Sequence, residues 1–366
     1  MQDSLQLDGA AFEAQFKALL AQAPAGTIKD FHFIQVPSNQ PPWLDTGIDF
    51  AAGDRVSTFA FGTTALKDTT IAFPAALQVW SRIGDDGKIF RGARASNSYR
   101  VEKGGRLYAG TSFPGEFASP TGALAVPPET YRMAEGVLNF LVVRWQTEPL
   151  EGLKRLAQSG DVKGMVAEEI DRFANQVPVP KGWEYLWFIG PSEIYKECSE
   201  HGHANAICCH SANTGALLTK DCVVPLKPGT KLSWSWRMEQ LPSQVAEDTF
   251  STHDYLSVAV EFDNGQDITY FWSCELPLET TFRCPIPTWT HRETHVVVRS
   301  GLEDLGNWLS EERDLFADYA ERIGGPMPGK IVKVWLIAVC IFQQAEGKCQ
   351  FADIAVHGEN GAIPIL

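Results

Sequence analysis

The spacing of apolar residues changes period along the chain, and each change predicts a boundary. Phe12, Phe16, Leu19 and Leu20 recur at helical spacing behind Asp8, which predicts a short amphipathic helix with an Asp cap. From residue 31 to 145 that period gives way to short runs rich in Val, Phe, Tyr and Trp, at 55–61, 77–83, 107–112 and 137–145. Gly, Pro and Asp punctuate them, and the pattern predicts an all-β sandwich. Helical spacing returns in Leu150, Leu153 and Leu156, then in Val162, Met165, Val166, Ile170 and Phe173, with a break near Gly160 and an end before Pro178-Val179-Pro180. After Trp183 alternation resumes: Leu232, Trp234 and Trp236 oppose Ser233, Ser235 and Arg237, and Ile268, Tyr270 and Trp272 repeat the rule. One helix is expected within this half, at 310–324, with Ser310 as cap, Leu315, Phe316, Tyr319 and Ile323 as apolar stripe, and Gly324-Gly325 as stop. The expected architecture is mainly β. It comprises an N-terminal helix plus a β-sandwich over 1–147, a helical linker over 148–180, and a site-bearing β-sandwich with one inserted helix over 181–366.

Composition narrows the function classes. The chain has 366 residues, enough for two cores, and its 11 Trp and 21 Phe suit β architecture with ring-lined clefts. Lys plus Arg number 31 against 45 Asp plus Glu, and the net charge of −14 repels phosphate backbones and anionic headgroups. No nucleic-acid or membrane partner is expected. The longest apolar run, 334–342, spans about half the ~20 residues of a transmembrane helix and reads as a buried strand. The N-terminal stretch carries acids where a signal peptide needs basic residues, so a cytoplasmic protein with reduced, mostly buried thiols is expected. An acidic, aromatic-rich surface is compatible with a homo-oligomer.

Reactive side chains concentrate in residues 198–217, which hold three of the eight histidines and three of the eight cysteines. On a strand over 205–210, Ala206, Cys208 and His210 share one face, and His201 and His203 precede it around Gly202. Acid-base work needs an imidazole that titrates near neutrality and a carboxylate to orient it. His210 with Asp254 meets that need, and Tyr270 or His203 would donate to a developing oxyanion. Arg237, Trp236, Trp272 and His201 are the candidate substrate-binding residues, with Trp234 and Trp308 extending a stacking wall; Arg237 has Glu261 as its structural alternative partner. Cys198, His201, His203, Cys208 and His210 offer zinc ligands, but their spacing matches no structural finger. His291 and His295 are expected at the surface. No GxSxG, GxGxxG or GxxxxGK[ST] motif occurs, so serine-hydrolase, dinucleotide and nucleotide readings drop out.

Two resemblances add to this. Trp43-Leu44-Asp45-Thr46-Gly47-Ile48, with Gly53-Asp54 and Val56, resembles the opening of the β-sandwich of calcium-dependent galactophilic bacterial lectins. Arg106-Leu107-Tyr108 and Phe113-Pro114-Gly115-Glu116 resemble a later strand and loop of related domains. The second half, through Ser211 to Leu217, Leu232 to Arg237, His253-Asp254, Tyr270-Phe271-Trp272 and Asp318-Tyr319, resembles a bacterial family of unknown function. The resemblances imply a lectin-like β-sandwich over 1–147 and a jelly-roll or galactose-binding-like sandwich over 181–366, and the second implies no chemistry. Where that family's pattern favours a second acid before Asp254, this chain has His253. Two functions are therefore expected. The first is a cytosolic, cofactor-independent lyase or hydratase acting on a small hydroxylated or carbonyl compound, with calcium or zinc as the only metals considered. The alternative is a non-catalytic, lectin-like protein with a carbohydrate ligand.

Overall fold

A computed structural model describes residues 8–91, 94–187, 189–200 and 202–366, the side chain of Glu200 excepted. The chain divides into two compact units, Met1–Gln176 and Val177–Leu366, each built on β-sheets.

In the N-terminal unit one sheet runs in the order Ile28–Pro37, Val137–Trp145, Arg55–Phe61, Ser96–Arg100, and another in the order Leu44–Phe50, Gly105–Thr111, Val79–Ile83, Ile89–Phe90. Strand Val137–Trp145 shows why its sequence reads as one apolar run. Leu138, Phe140 and Val142 enter the core shared with the second sheet, and Leu141, Val143 and Trp145 enter a second core on the opposite face. That second core is roofed by three helices. Gly9–Ala21 contributes Phe12, Phe16, Leu19 and Leu20, and the Asp8 carboxylate accepts from the Ala11 N–H at 2.7 Å, as the sequence predicts. Pro149–Ala157 contributes Leu153 and Leu156, and Met165–Ala174 contributes Met165 and Val166. Gly152 lets the first of these helices lie on the Trp145 ring, since a Cβ there would sit 2.4 Å from it. The two helices expected as a linker over 148–180 thus belong to the N-terminal core, because their apolar stripes complete it.

The C-terminal unit is a sandwich of two sheets. One has the order Glu184–Tyr185, Gly215–Pro225, Lys330–Val339, Tyr255–Phe262, Asp267–Ser273, Glu293–Ser300, Thr281–Arg283. The other has the order Tyr195–Glu200, His203–Ala212, Glu346–Gly358, Lys231–Gln240, Leu309–Asp314, with Gly361–Pro364 also paired to Glu346–Gly358. Between them Leu232, Trp234, Trp236 and Met238 meet Leu256, Val258, Tyr270, Trp272 and Leu336. Full burial of this aromatic set supplies much of the apolar area that stabilises the unit. The helix expected over 310–324 starts later. Leu309–Asp314 is an edge strand on Lys231–Gln240, and the helix begins at Leu315, where Asp314 accepts from the Ala317 N–H at 2.9 Å. Ser310 is no cap; its hydroxyl sits 3.0 Å from that of Ser235 across the strand pair. Gly324 and Gly325, both at positive φ, end the helical segment as predicted.

Candidate functional site

Period-2 alternation sorts the predicted site residues onto two sides of the six-stranded sheet. Ile207 and Cys209 point into the core, so Cys208 and His210 point outward, as do Ser233, Ser235, Arg237 and Glu239 from the strand opposite Trp234 and Trp236. Among the described residues, this outer face is polar and carries an aromatic contact between His203 and Trp308. His203 lies 4.0 Å, centroid to centroid, from the half-buried ring of Trp308, and its Nδ1 lies 2.9 Å from the Asp353 carboxylate. Arg237 donates from Nε to the Gly306 carbonyl at 2.6 Å and from Nη1 to Glu239 at 2.7 Å, and Glu239 also accepts from the Gln350 amide at 3.0 Å. Glu261, the partner expected for Arg237, instead lies 3.5 Å from Arg292. His210 is exposed, with its Nε2 2.5 Å from Glu346.

The remaining predicted residues are elsewhere. Asp254 is fully buried, and its carboxylate accepts the backbone N–H groups of Ile341, Phe342 and Gln343 at 2.9, 3.0 and 2.7 Å. Burial pushes its carboxyl upward in spite of those three bonds. Asp254 ties a turn in place and does not orient His210, which has Glu346. Tyr270 is buried and donates to Asp318 at 2.8 Å, so it is no oxyanion donor. Trp236 and Trp272 are core residues whose indole N–H groups donate to Glu311 and to the Gly301 carbonyl. They form no stacking wall. His201 lies outside the described residues. Cys198 and Cys208 are joined by a disulfide across the Tyr195–Glu200 and His203–Ala212 strands, which corrects the expectation of reduced thiols and removes both sulfurs from any zinc site there.

Of the lectin-like residues of the N-terminal unit, Leu44 to Ile48 and Arg106 to Tyr108 lie on paired strands of one sheet, whereas Val56 belongs to the other sheet and Phe113 to Glu116 to a loop. Arg106 donates to Asp49 at 2.9 Å and Asp45 at 3.3 Å, and the Tyr108 hydroxyl donates to Asp85 at 2.5 Å. The Arg82 guanidinium lies 5.0 Å from the Trp43 ring, whose other neighbour, Phe117, stacks at 5.0 Å. Trp43 is thus occupied by protein groups, and the site's charges are mutually paired.

A buried cluster escapes the sequence reading. His253, Cys284, Glu293 and His295 bring their donor atoms within 4.8 Å of one another. Glu293 and His295, two apart on Glu293–Ser300, share a face, and the Cys284 N–H donates to the Glu293 carbonyl across the ladder. His253 precedes the Tyr255–Phe262 strand, and its Nδ1 lies 2.6 Å from the Glu247 carbonyl. Burial, reinforced by His295, pushes the His253 imidazole down to about 3, so the ring is neutral. The sequence signal was the His253-Asp254 departure and the Glu293/His295 spacing; the ladder register that adds Cys284 was not readable. His295, expected at the surface, is fully buried.

These features define a protein of two β-sandwich units. Residues 181–355 match the model of a family described as a protein of unknown function (DUF3047). No curated protein matches the sequence at a significant level. Among solved structures, the chain is similar to the N-terminal domain of EclA, a PllA-like lectin, with 13% identity over 33% of this chain and 99% of that one and a TM-score of 0.25. It is also similar to the CBM22-1–CBM22-2 tandem domain of Xyn10C from Paenibacillus barcinonensis, with 11% identity over 92% and 93% and a TM-score of 0.24. A further structure, of carbohydrate-binding modules from the β-sandwich superfamily, shows 10% identity over 91% and 99% and a TM-score of 0.23. The lyase or hydratase expectation is corrected. His210 pairs with Glu346, Tyr270 donates to Asp318 and Asp254 accepts backbone N–H groups, so the structure does not assemble the expected acid-base set.

Proposed function

We propose that the protein is a non-catalytic carbohydrate-binding protein whose sugar-contacting surface is the outer face of the six-stranded sheet. The observation that carries this reading is Trp308, half-buried on that face beside His203, with the Arg237–Glu239–Gln350 row of the same sheet offering charged donors and acceptors. A flat ring next to fixed polar groups suits the apolar face and hydroxyl rim of a pyranose. The lectin and carbohydrate-binding modules among the similar structures accord with that class of ligand. Trp43 of the N-terminal unit is less suited, because both Phe117 and Arg82 lie against its ring, where Trp308 has His203. The Cys198–Cys208 bridge supports an oxidising compartment in place of the cytosol expected from the sequence.

Titration of intrinsic fluorescence with soluble xylans, glucans and galactans tests the reading. At least one polysaccharide should bind the native protein, and Trp308→Ala should weaken that binding by about tenfold or more, ~1.4 kcal/mol. Arg82→Ala in the N-terminal unit should leave it unchanged. Equal binding by native protein and Trp308→Ala would overturn the proposal, as would the absence of binding across the panel.

A further inference from the structure

The outer face of the other, seven-stranded sheet carries a second apolar core, with Tyr255, Phe271, Cys284, Trp289, Val297 and Trp335, and the His253 cluster lies within it. We propose that His253, Cys284, Glu293 and His295 are the four ligands of a closed, structural zinc site, a role independent of carbohydrate binding. The donor set is one thiolate, two imidazoles and one carboxylate, which is the chemistry zinc selects over the oxygen-seeking calcium and magnesium.

Geometry agrees. Zinc bonded at about 2.0–2.3 Å in a tetrahedron holds its donors about 3.3–3.8 Å apart. Here His253 Nε2 lies 3.4 Å from Cys284 Sγ, His295 Nε2 lies 3.4 Å from Glu293 Oε2, and all four donors fall within 4.8 Å. A small contraction closes the shell.

The surrounding groups aim the donors inward. The Glu247 carbonyl takes the Nδ1 proton of His253 and leaves Nε2 as its lone-pair nitrogen. Tyr255 and Thr269 donate to Glu293 Oε1 at 3.2 and 3.1 Å, which leaves Oε2 for the centre. His295 is fully buried, yet among the described residues neither ring nitrogen has a hydrogen-bond partner of good geometry, its nearest polar contact being Glu293 Oε2 at 3.4 Å. A buried imidazole without a hydrogen bond is costly, and a ligand would satisfy it. Charge balances as well: one thiolate and one carboxylate offset a dication, so the loaded centre is neutral in an apolar environment. Four protein ligands, none more than 2% exposed, leave no open position for substrate, so the ion's role is to fasten the 247–253 and 284–292 segments to strand Glu293–Ser300.

The test uses the full chain from zinc-supplemented culture. Elemental analysis should find about one zinc per chain. Zinc X-ray absorption on the native protein should show one sulfur at about 2.3 Å and three nitrogen or oxygen scatterers near 2.0–2.1 Å. Chelation should lower the Tm by several degrees and added Zn2+ should restore it. His295→Gln and Cys284→Ser should lose the metal, and His210→Ala should keep it. Less than about 0.1 equivalent of zinc with no Tm gain on adding Zn2+ would overturn the proposal. A zinc shell without sulfur, or full zinc content in folded Cys284→Ser, would overturn it too. If neither variant folds, the absorption spectrum of the native protein alone decides.

Discussion

The sequence offers Asp254 and His210 as catalytic partners, yet their surroundings give opposite predictions for stability. Asp254→Ala removes the acceptor of three backbone N–H groups, and it is expected to cost about 3 kcal/mol or more. His210→Ala removes one exposed ion pair and is expected to change stability by no more than about 0.5 kcal/mol. Denaturant unfolding of both variants checks this; equal destabilisation would contradict it. The facing of single residues was partly legible. Period 2 put Cys208 and His210 on one side and Cys209 on the other, and that holds. Which side met the core was not legible, since Ala206, Cys208 and His210 are as compatible with burial as Ile207 and Cys209 are. Nor could Asp254 be recognised as a turn anchor, because its partners are backbone groups 87 to 89 residues away.

At the scale of elements, compact apolar runs bounded by polar or turn residues were readable to their ends: Arg55–Phe61 and Val137–Trp145 match the runs predicted. The segment from Ser310 to Asp314 misled because cross-strand pairing decides its state. Its Ser, Glu and Arg residues suit a helix start, but Glu311 pairs with Arg299 at 2.6 Å and accepts from Trp236, which holds the segment on the sheet. The short helix that follows is pinned by Asp318, whose carboxylate accepts from Arg313, Arg322 and Tyr270. Burial raises the Asp318 pKa, but these partners outweigh it and hold the carboxyl below its ordinary value. A depressed folded pKa means the stabilisation is full above the unfolded value of about 3.9 and is lost as pH falls through the lower folded value. Asp318→Asn removes the buried one of the two carboxylates that Arg313 and Arg322 share, leaving them Glu279, so a loss of about 2 kcal/mol is expected at neutral pH, with a flatter decline in acid. Unfolding at a series of pH values measures both, and an unchanged acid decline would count against this account. Likewise, a fragment ending at residue 147 lacks Leu153, Leu156 and Val166 over Phe59 and Leu141 and is expected not to fold, whereas one ending at 176 should give cooperative melting by circular dichroism.

Across the whole molecule, the two-sandwich plan was legible from the period changes, and the mainly β character follows from aromatic alternation in both halves. Covalent connectivity was not, because pairing of Cys198 with Cys208 depends on a hairpin register that spacing alone does not fix. Non-reducing peptide mapping should recover that one cross-link and find Cys209, Cys222, Cys274, Cys284, Cys340 and Cys349 unlinked; any other pairing would contradict the structure. In the C-terminal unit the two outward surfaces stand back to back, with Leu232, Trp234 and Trp272 filling the space between them. Exchanging Ser233, Ser235 and Glu239 therefore leaves the interior jigsaw and the His253 corner untouched. Specificity on this scaffold can drift from one glycan to another while the architecture beneath it stays fixed.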